Sequence, residues 1–415
     1  MAEVMDSTPS KSSRAWVVLV VCTVLTTMAY GLMFSYSVYF KPLASHFGWD
    51  RAQTSSVYSI ALLTRGLFAI SVGWLADKFG ARVLLIVGGV VTFIGFALSS
   101  RVQTLPQLFF TYGVVLAIGL SAIFGISTSL VAKWFTKKSG LALGIVSMGS
   151  GLGTLIVVPL SAWLINTYAW STTFVISGAA GGLIMVVGAL LIREAPKSEE
   201  KNLKGPIQTP RSLSFGEALR CPELFLISII MFCLVFCAQV IMIHFVNYAT
   251  DLGITPLKAA GIISIIGLVS MAGRLITGFA GDKIDILDLL LIAPLVTLIS
   301  FLILIFFKSL TALYIFAVIY AIGYGAEVPL VPMVVKRYFG TKSMAALVGV
   351  FLFAGGVGGA AGPFVAGKIF DMTHSYQATF IVGTVILALC LIPIAMLRAR
   401  SGRSRQPDRR SALVS

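Results

Sequence analysis

The sequence predicts an all-α membrane protein of twelve transmembrane helices in two pseudo-symmetric six-helix halves. Of its 415 residues, 58% are hydrophobic and only 11% are charged, and the mean hydropathy is +0.96. A soluble domain of this size does not have that composition, and the apolar residues fall in runs long enough to span a bilayer. The distribution of charge and an internal repeat point to the same architecture.

Twelve apolar runs follow one another along the chain, and polar or charged residues separate them. Each run is long enough for a helix that crosses the hydrocarbon core of a bilayer, which is about 30 Å thick. The runs lie at about 15–40, 53–76, 82–100, 105–131, 140–165, 170–192, 223–248, 258–281, 286–307, 309–335, 343–367 and 376–398. The predicted parts of the chain are an N-terminal tail (1–14), a first half (15–192), a linker (193–222), a second half (223–398) and a basic tail (399–415).

The positive charges are distributed unequally between the two ends of these runs. If the N-terminus is cytoplasmic, 23 of the 31 lysines and arginines fall on the cytoplasmic side, six fall outside, and Arg65 and Arg274 lie within runs. This asymmetry is the positive-inside rule, and it predicts a multi-pass protein of the plasma (inner) membrane with both termini cytoplasmic. The lipid bilayer thereby explains the net charge of +15, and no nucleic-acid partner is needed.

Reactive side chains show no catalytic or metal-binding spacing. The three histidines, His46, His244 and His374, are scattered, and no HExxH or GxSxG motif occurs. The five cysteines lie in or beside apolar runs, where cysteine packs as a small apolar residue. We therefore expect no enzyme activity, no metal and no cofactor.

An internal repeat relates the two halves. At a shift of about 205 residues, Gly73-Trp-Leu-Ala-Asp-Lys78 falls on Gly278-Phe-Ala-Gly-Asp-Lys283, and at about 204 Pro159 falls on Pro363. The shift covers an even number of runs, so the two halves have the same orientation in the membrane. Two homologous halves around a central site form a transporter architecture, in which substrate binds near the midplane and the halves rock around it.

Arg274 lies inside the eighth run, whose interior carries no other charge. Asp282 follows eight residues later, which places the guanidinium about 12 Å inside the end of the run. Burying an arginine there costs between about 2.5 and well over ~10 kcal/mol, so a membrane protein that keeps it usually uses it. A guanidinium can bind a carboxylate through two parallel hydrogen bonds and stays protonated. We predict that Arg274 binds an anionic substrate; the alternative is a structural charge neutralised by Glu327.

Glu327 is the only acidic residue deep within a run. It precedes Lys336 by nine residues in the tenth run, which gives it the depth of Arg274, and Tyr324 lies on the same helical face. A carboxyl group buried alone favours its protonated form, whereas one paired with arginine stays ionised. We hypothesise that protonated Glu327 leaves Arg274 free for substrate and that ionised Glu327 competes for it. The alternative is a permanent pair that aligns two helices.

Arg65 is the second cation within a run. It lies twelve residues before Asp77, and Ser270 occupies the equivalent place in the repeat. Arg65 could meet Glu327, a substrate or a water-filled passage, and the sequence does not decide between them. It is therefore a candidate for proton coupling or charge pairing.

Several motifs resemble those of one transporter family. Gly73-Trp-Leu-Ala-Asp-Lys-Phe-Gly-Ala-Arg82 resembles the loop signature of the major facilitator superfamily. Within that superfamily, the chain resembles the monocarboxylate transporter and oxalate/formate antiporter group. The closer match is carried by Tyr39-Phe-Lys-Pro-Leu43 with Phe47-Gly-Trp-Asp-Arg-Ala52, by Lys133-Trp-Phe-Thr-Lys-Lys-Ser-Gly-Leu-Ala-Leu-Gly144, by His244-Phe-Val-Asn-Tyr-Ala-Thr-Asp-Leu-Gly253 and by Arg274. The resemblance covers essentially the whole chain and implies the fold of the superfamily.

The resemblance also implies roles for individual residues. It makes Arg274 the carboxylate anchor on the eighth helix. It makes Asp77, Arg82 and Asp282 part of the scaffold motif that serves the conformational change. These motif residues lie at the ends of their runs, where the chain is expected to leave the membrane.

Three further residues are candidates for substrate binding. Helices 4 and 10 face the pore in this architecture, so we expect Tyr112 and Tyr324 to form part of the cavity wall. His244 lies about one turn from the outer end of the seventh helix, where it could bind substrate or titrate as part of an outer gate. The alternative is a histidine whose hydrogen bonds are satisfied within the fold.

The chain departs from both branches of the group. The animal branch has a lysine within helix 1 and an aspartate four residues before the helix 8 arginine, where this chain has Phe34 near the first place and Ser270 at the second. The oxalate antiporter branch adds a lysine in helix 11, and none lies between Ser343 and Gly367. One anchoring cation suits a monoanion, so we expect a lactate-like or pyruvate-like acid rather than oxalate.

We therefore predict a secondary active transporter of small monocarboxylates that works by alternating access, in symport with protons and as a monomer. The alternative within transport is a carboxylate antiporter of the oxalate/formate kind. The alternative from another class is a membrane sensor that binds substrate without moving it.

Overall fold

Helices account for almost all of the structure. The computed structural model describes residues 11–121, 123–135, 138–194 and 212–404, and no strand occurs among them. Three predicted parts of the chain fall partly outside the described residues: the tail up to residue 10, the linker at 195–211 and the basic tail from residue 405. The helices α1 to α12 are numbered so that each corresponds to one predicted run.

The first half contains α1 to α6. α1 is Lys11–Phe34 continued by Tyr36–Phe47, α2 is Arg51–Phe79, α3 is Ala81–Ser99 and α4 is Leu105–Trp134. The next helix, Ser139–Leu191, is 53 residues long and changes direction at Ala169, whose φ of 71° and ψ of 163° are not helical. Its length of about 80 Å far exceeds a bilayer core. It therefore supplies two spans, α5 (139–168) and α6 (170–191).

The second half contains α7 to α12. They are α7 Pro222–Asp251, α8 Pro256–Ala280, α9 Ile286–Phe306, α10 Leu310–Phe339, α11 Met344–Thr373 and α12 Tyr376–Ser404, and a short helix, Phe215–Leu219, precedes them. Among the described residues, eleven helices are long and apolar enough to cross a membrane. One of these contains both α5 and α6, so the predicted all-α fold of twelve spans in two halves is confirmed.

The helix ends follow from local sequence signals. Gly48, with φ of 69°, ends α1 in the left-handed conformation that glycine adopts without strain. Asp50 then begins α2: its Oδ1 accepts from Gln53 N at 2.7 Å, and Gln53 Oε1 accepts from Asp50 N at 3.1 Å. α1 extends beyond its predicted end because the apolar run stops at Lys41 while Leu43 is still buried. The helix therefore continues to the next backbone signal.

Two aspartates of the repeat join the halves at one end of the molecule. Asp77 Oδ2, near the end of α2, accepts a hydrogen bond from Ala346 N of α11 at 3.1 Å. Asp282, just after α8, accepts from Gly140 N and Leu141 N of α5 at 2.7 Å and 2.9 Å. Each carboxylate thus caps the first turn of a helix in the other half, where unpaired N–H groups and the helix dipole favour negative charge.

The same end of the molecule carries the basic loops. We call it the basic side and define it by Lys78, Lys133, Lys283 and Lys336. Lys336 Nζ donates to the carbonyl oxygens of Ala132 and Phe135 at 3.1 Å and 3.0 Å, which joins α10 of the second half to the end of α4 in the first. That this side faces the cytoplasm stays a prediction.

The halves separate with distance from the basic side. Between α5 and α8, a Cβ added to Gly151 would lie 2.6 Å from Met271 Cγ, so the two helices are in close contact there. A Cβ added to Gly267, one turn before Met271 and further from the basic side, would meet nothing within 4 Å beyond its own stretch of helix. Between α2 and α11, the approach loosens from 2.6 Å between a Cβ on Gly73 and Ala345 O to 3.9 Å between a Cβ on Gly356 and Leu62 O, which is still van der Waals contact. Along α5 and α8, the halves are therefore closed towards the basic side and open towards the opposite side.

Candidate functional site

A close crossing of α8 and α10 sets the position of the candidate site. A Cβ on Gly273 would lie 3.3 Å from Gly325 Cα, so the absence of side chains at these positions allows the two backbones to approach. Arg274 follows Gly273 on α8, while Tyr324 and Glu327 flank Gly325 on α10. The crossing therefore brings an arginine, a tyrosine and a glutamate to one level within the second half.

The guanidinium of Arg274 is buried and keeps unused donors. The residue is 4% exposed. Nη1 donates to Ser270 Oγ, one turn earlier on α8, at 3.3 Å, and Cζ lies 5.8 Å from the ring centroid of Tyr324. Nε is buried without a hydrogen-bond partner. Since a guanidinium has five N–H donors in a planar fork, this arrangement can still bind a planar anion such as a carboxylate.

Glu327 is buried beside Arg274 without pairing with it. It is 5% exposed and lies close enough to Arg274 for electrostatic attraction. No ion pair within 4.0 Å joins the two residues, both of which the structure describes, and Glu327 Oε1 has no hydrogen-bond partner. The structure therefore lacks the permanent pair of the structural alternative. Ionisable groups that are buried in a membrane protein without full pairing are typical of functional sites.

Arg65 approaches the same region from the first half, on α2. Its Cζ lies 4.4 Å from the ring centroid of Tyr30, and its Nη1 lies 3.1 Å from Met33 Sδ; both partners belong to α1. Its Nε is buried without a hydrogen-bond partner. A thioether is a weak acceptor, and a ring face only partly replaces water around a cation. Arg65, like Arg274, therefore retains unused donors.

Each of the two arginines lies against the ring of a tyrosine, Tyr30 for Arg65 and Tyr324 for Arg274. The ring of Tyr30 contacts Arg65, and its hydroxyl group lies near Arg274 and Tyr324. The hydroxyl group of Tyr58, on α2, lies near Tyr30, Tyr324 and Arg65. Tyr58 was missed in the sequence, although it lies seven residues before Arg65 and so shares its helical face. Both halves thus contribute hydroxyl-bearing aromatic surface to the site.

Tyr112 lies in the first half, in a π-helical stretch of α4, Phe109–Leu116. Its ring is buried 4.8 Å from the ring of Tyr36, and its hydroxyl donates to Met33 O at 3.4 Å. A small cavity between α1, α2 and α4 is lined by Tyr112, Met33 and Arg65. π-Helical stretches are frequent at functional sites. Substrate binding by Tyr112 stays a prediction, since its hydroxyl is engaged within the half.

His244 connects three helices of the second half. Its Nδ1 lies 3.2 Å from Tyr376 Oη of α12, and its Nε2 lies 3.0 Å from Pro363 O of α11. Because a carbonyl can only accept, Nε2 carries the proton in this arrangement and Nδ1 accepts from the tyrosine. Both ring nitrogens are engaged, as the alternative interpretation requires. A substrate-binding role for His244 stays a prediction, and it would require one of these bonds to break.

The residues of the scaffold motif lie at the basic side. Asp77 and Asp282 cap helices of the opposite half, and Arg82 is exposed at the start of α3. The positions of the two aspartates suit a role in holding the halves together, whereas a role for Arg82 stays a prediction. In the described part of the chain, no group of three or more His, Cys, Asp or Glu side chains could hold a metal ion.

The chain is similar over nearly its whole length to known transporters. A family model described as the Major Facilitator Superfamily matches residues 19–363 and 287–414. Monocarboxylate transporter 12 of Xenopus laevis is 24% identical, with 97% of this chain and 93% of that protein covered. Monocarboxylate transporter 13 of Rattus norvegicus is 27% identical, with 92% and 88% covered. Among solved structures, the transporter FucP in the outward conformation has a TM-score of 0.71 at 16% identity, with 92% of this chain and 98% of that chain covered.

Proposed function

Because the chain belongs to the major facilitator superfamily, whose members are multi-pass membrane transporters and not enzymes, we propose that it carries small monocarboxylates of the lactate or pyruvate kind. It does so by alternating access in symport with protons, as a monomer in the plasma (inner) membrane with both termini cytoplasmic. The names of the two monocarboxylate transporters to which it is similar support this substrate class.

The observation that carries the proposal is the buried, unpaired guanidinium of Arg274. It lies at the crossing of α8 and α10, 4% exposed, with Nε unpartnered and only a serine hydroxyl on Nη1. A carboxylate entering from the open side would complete its hydrogen bonds and neutralise its charge. The rings of Tyr324 and Tyr30 beside it suit a short apolar tail.

Glu327 supplies the proton site in this proposal. When it is ionised, its charge attracts Arg274 and competes with the substrate carboxylate. When it is protonated, Arg274 is free to bind the carboxylate. Substrate and proton therefore bind together and leave together. The caps at Asp77 and Asp282 break when the basic side opens, and the opposite side closes in the same step.

Uptake of radiolabelled lactate by purified protein in liposomes tests the assignment of Arg274. Arg274→Ala is expected to lower uptake by roughly thirtyfold or more, because truncating one partner of a buried, hydrogen-bonded charge pair costs about 2–5 kcal/mol. Arg274→Lys keeps the charge but loses the planar fork, so partial uptake is expected. Arg398→Ala, which removes an arginine paired with Asp288 at the surface, should leave uptake unchanged. Undiminished uptake by Arg274→Ala would overturn the assignment.

Counterflow in the same liposomes separates symport from exchange. Lactate uptake that requires an unlabelled acid on the other side and moves no protons would identify a carboxylate antiporter of the oxalate/formate kind. Saturable lactate binding without uptake would identify a membrane sensor.

A further inference from the structure

The two arginines of the candidate site come from opposite halves and occupy different places in the repeat. Ser270 stands at the place of Arg65, and Ala69 stands at the place of Arg274. Arg65 precedes the aspartate of its half by twelve residues, and Arg274 precedes its own by eight. Arg65 therefore lies about 6 Å further from the basic side. A ligand that enters from the open side reaches Arg65 before Arg274.

Arg65 has no acidic partner within 4.0 Å among the described residues. Its contacts are the Sδ of Met33 at 3.1 Å and the ring of Tyr30 at 4.4 Å, and its Nε is unpartnered. The small cavity beside it offers one further polar side chain, Tyr112, whose hydroxyl already donates to Met33 O. Arg65 is half-buried, and the buried donor at its Nε is unfavourable unless an acceptor is supplied. The anchoring of a carboxylate by Arg274 leaves Arg65 without a role.

The formal charges of the site suit one proton and one monoanion. Arg65, Arg274 and ionised Glu327 give the empty site two positive charges and one negative charge. Protonating Glu327 and placing a monocarboxylate on Arg274 leaves the same net charge, so the empty and loaded carriers meet the same electrostatic barrier. A dicarboxylate with one proton would change that charge. A neutral oxygen of the substrate can accept from Arg65 without changing it.

We infer that Arg65 is the second contact of the substrate: its guanidinium donates to the oxygen on C2 of a 2-oxo or 2-hydroxy acid whose carboxylate lies on Arg274. This inference rests on the proposed function. Because the two arginines belong to different halves, a substrate that touches both stabilises the state in which the halves are closest. Arg65 is a specificity-determining residue, and it favours 2-oxygenated acids over unsubstituted acids of the same length.

Uptake of three acids of equal chain length tests this role. Lactate and pyruvate carry an oxygen on C2, and propionate does not. The wild type is expected to take up lactate and pyruvate roughly tenfold to a hundredfold more efficiently than propionate, the factor that a hydrogen bond to a charged group provides. Arg65→Gln is expected to lower Vmax/KM for lactate and pyruvate by about that factor and for propionate far less.

Two further variants separate charge from position. Arg65→Lys keeps the charge and a donor, so it is expected to retain part of the preference for lactate over propionate. Lys41→Gln neutralises an exposed cation near the far end of α1 and is expected to leave the preference unchanged. Propionate uptake by Arg65→Gln reports that the variant is folded.

The outcomes separate this inference from the proposed function. If Arg65→Gln lowers the uptake of all three acids by the same factor, Arg65 has a structural role only, and the inference would be wrong. It would also be wrong if the wild type preferred oxalate and Arg65→Gln removed that preference, because Arg65 would then bind a second carboxylate. If the wild type takes up none of the acids, or if Arg274→Ala takes them up undiminished, the proposed function fails and this inference fails with it. Loss of the C2 preference in Arg65→Gln alone supports the inference.

Discussion

At the residue scale, Arg274 and Glu327 lie within electrostatic reach of each other, yet each keeps an unpartnered polar atom. Removing two charged groups from water is costly, by several kcal/mol per ion, and a full ion pair would recover part of that free energy. The structure leaves this pairing incomplete. The arginine is thereby available to an anion, and the glutamate is available to a proton.

Glu327→Gln is expected to remove the pH dependence of lactate uptake. The wild type should take up more lactate as the pH on the entry side falls, since protonated Glu327 no longer competes for Arg274. Glutamine is neutral at every pH, so the variant should take up lactate at the same rate at about pH 5.5 and at about pH 8. The measurement is initial uptake into liposomes with an imposed pH gradient.

Glu223→Gln serves as the matched control for this experiment, because Glu223 pairs with Arg400 at the surface of the second half. Its pH profile should match that of the wild type. A wild-type profile in Glu327→Gln would show that the coupling proton binds elsewhere.

The depths of Arg274 and Glu327 in the membrane were predictable, because they follow from counting residues to the end of each run. Counting from Asp282 and Lys336 places Arg274 and Glu327 at one level, and the close crossing of α8 and α10 brings them together. Side-chain partners were not predictable, because they depend on how each helix is rotated about its axis. The sequence contains no local signal that His244 meets Tyr376, 132 residues away.

At the element scale, the starts of α5 and α11 depend on carboxylates from the other half. Backbone N–H groups in the first turn of a helix have no partner within the helix. Asp282 satisfies two of them in α5, and Asp77 satisfies one in α11. A polar contact between halves thus replaces a cap that would ordinarily come from the residue just before the helix.

Asp77→Asn and Asp282→Asn are each expected to favour opening of the basic side. An amide can still accept a hydrogen bond but loses its charge, which is worth about 0.3–1 kcal/mol at a helix start. Each variant should therefore raise the ratio of open to closed molecules about twofold to fivefold, and the double variant should show the product of the two effects. The readout is the distance between spin labels at Val83→Cys and Ile284→Cys, one in each half, in a cysteine-free background.

Asp288→Asn is the control for the caps, since Asp288 pairs with Arg398 within the second half. It should leave the distance distribution as in the wild type. An unchanged distribution in the double cap variant would mean that apolar packing alone keeps the basic side closed.

The spans themselves were predictable because bilayer thickness sets their length and hydropathy marks their ends. The limits of that signal appear where hydropathy and backbone disagree. α1 passes Lys41 and ends only at Gly48, and α5 joins α6 without a loop, through the single non-helical residue Ala169. Backbone signals rather than side-chain polarity determine these boundaries.

At the scale of the whole molecule, the halves meet at the basic side and separate on the opposite side. The repeat predicted two halves but not their relative position, because one sequence has to adopt every state of a transport cycle. States that exchange in this way differ in free energy by only a few kcal/mol. The sequence therefore does not indicate which of these states the structure adopts.

A cysteine on the open side of α8 should report this conformation. Gly267→Cys is expected to react with a membrane-impermeant maleimide added from the side opposite to the basic side, because a Cβ at this position would meet nothing within 4 Å beyond its own stretch of helix. Ser147→Cys, at a buried position of α5, should react slowly or not at all. If lactate contacts both halves as proposed, saturating lactate should draw them together and slow labelling of Gly267→Cys severalfold. Labelling of Gly267→Cys only from the basic side would contradict the described conformation.

The exchange of caps between the halves also bears on the origin of the chain. Asp77 serves α11 as Asp282 serves α5, and the repeat that relates the two aspartates also relates Gly140 and Leu141 to Ala345 and Ala346. Such reciprocity is the defining property of an isologous interface, in which each of two identical subunits offers the same patch to the other. Two unlinked six-helix proteins could form this contact as a homodimer, before any linker joined them. The capping aspartates retain the geometry of such a dimer, whereas the two arginines, at unequal places in the repeat, record where the fused halves have since diverged.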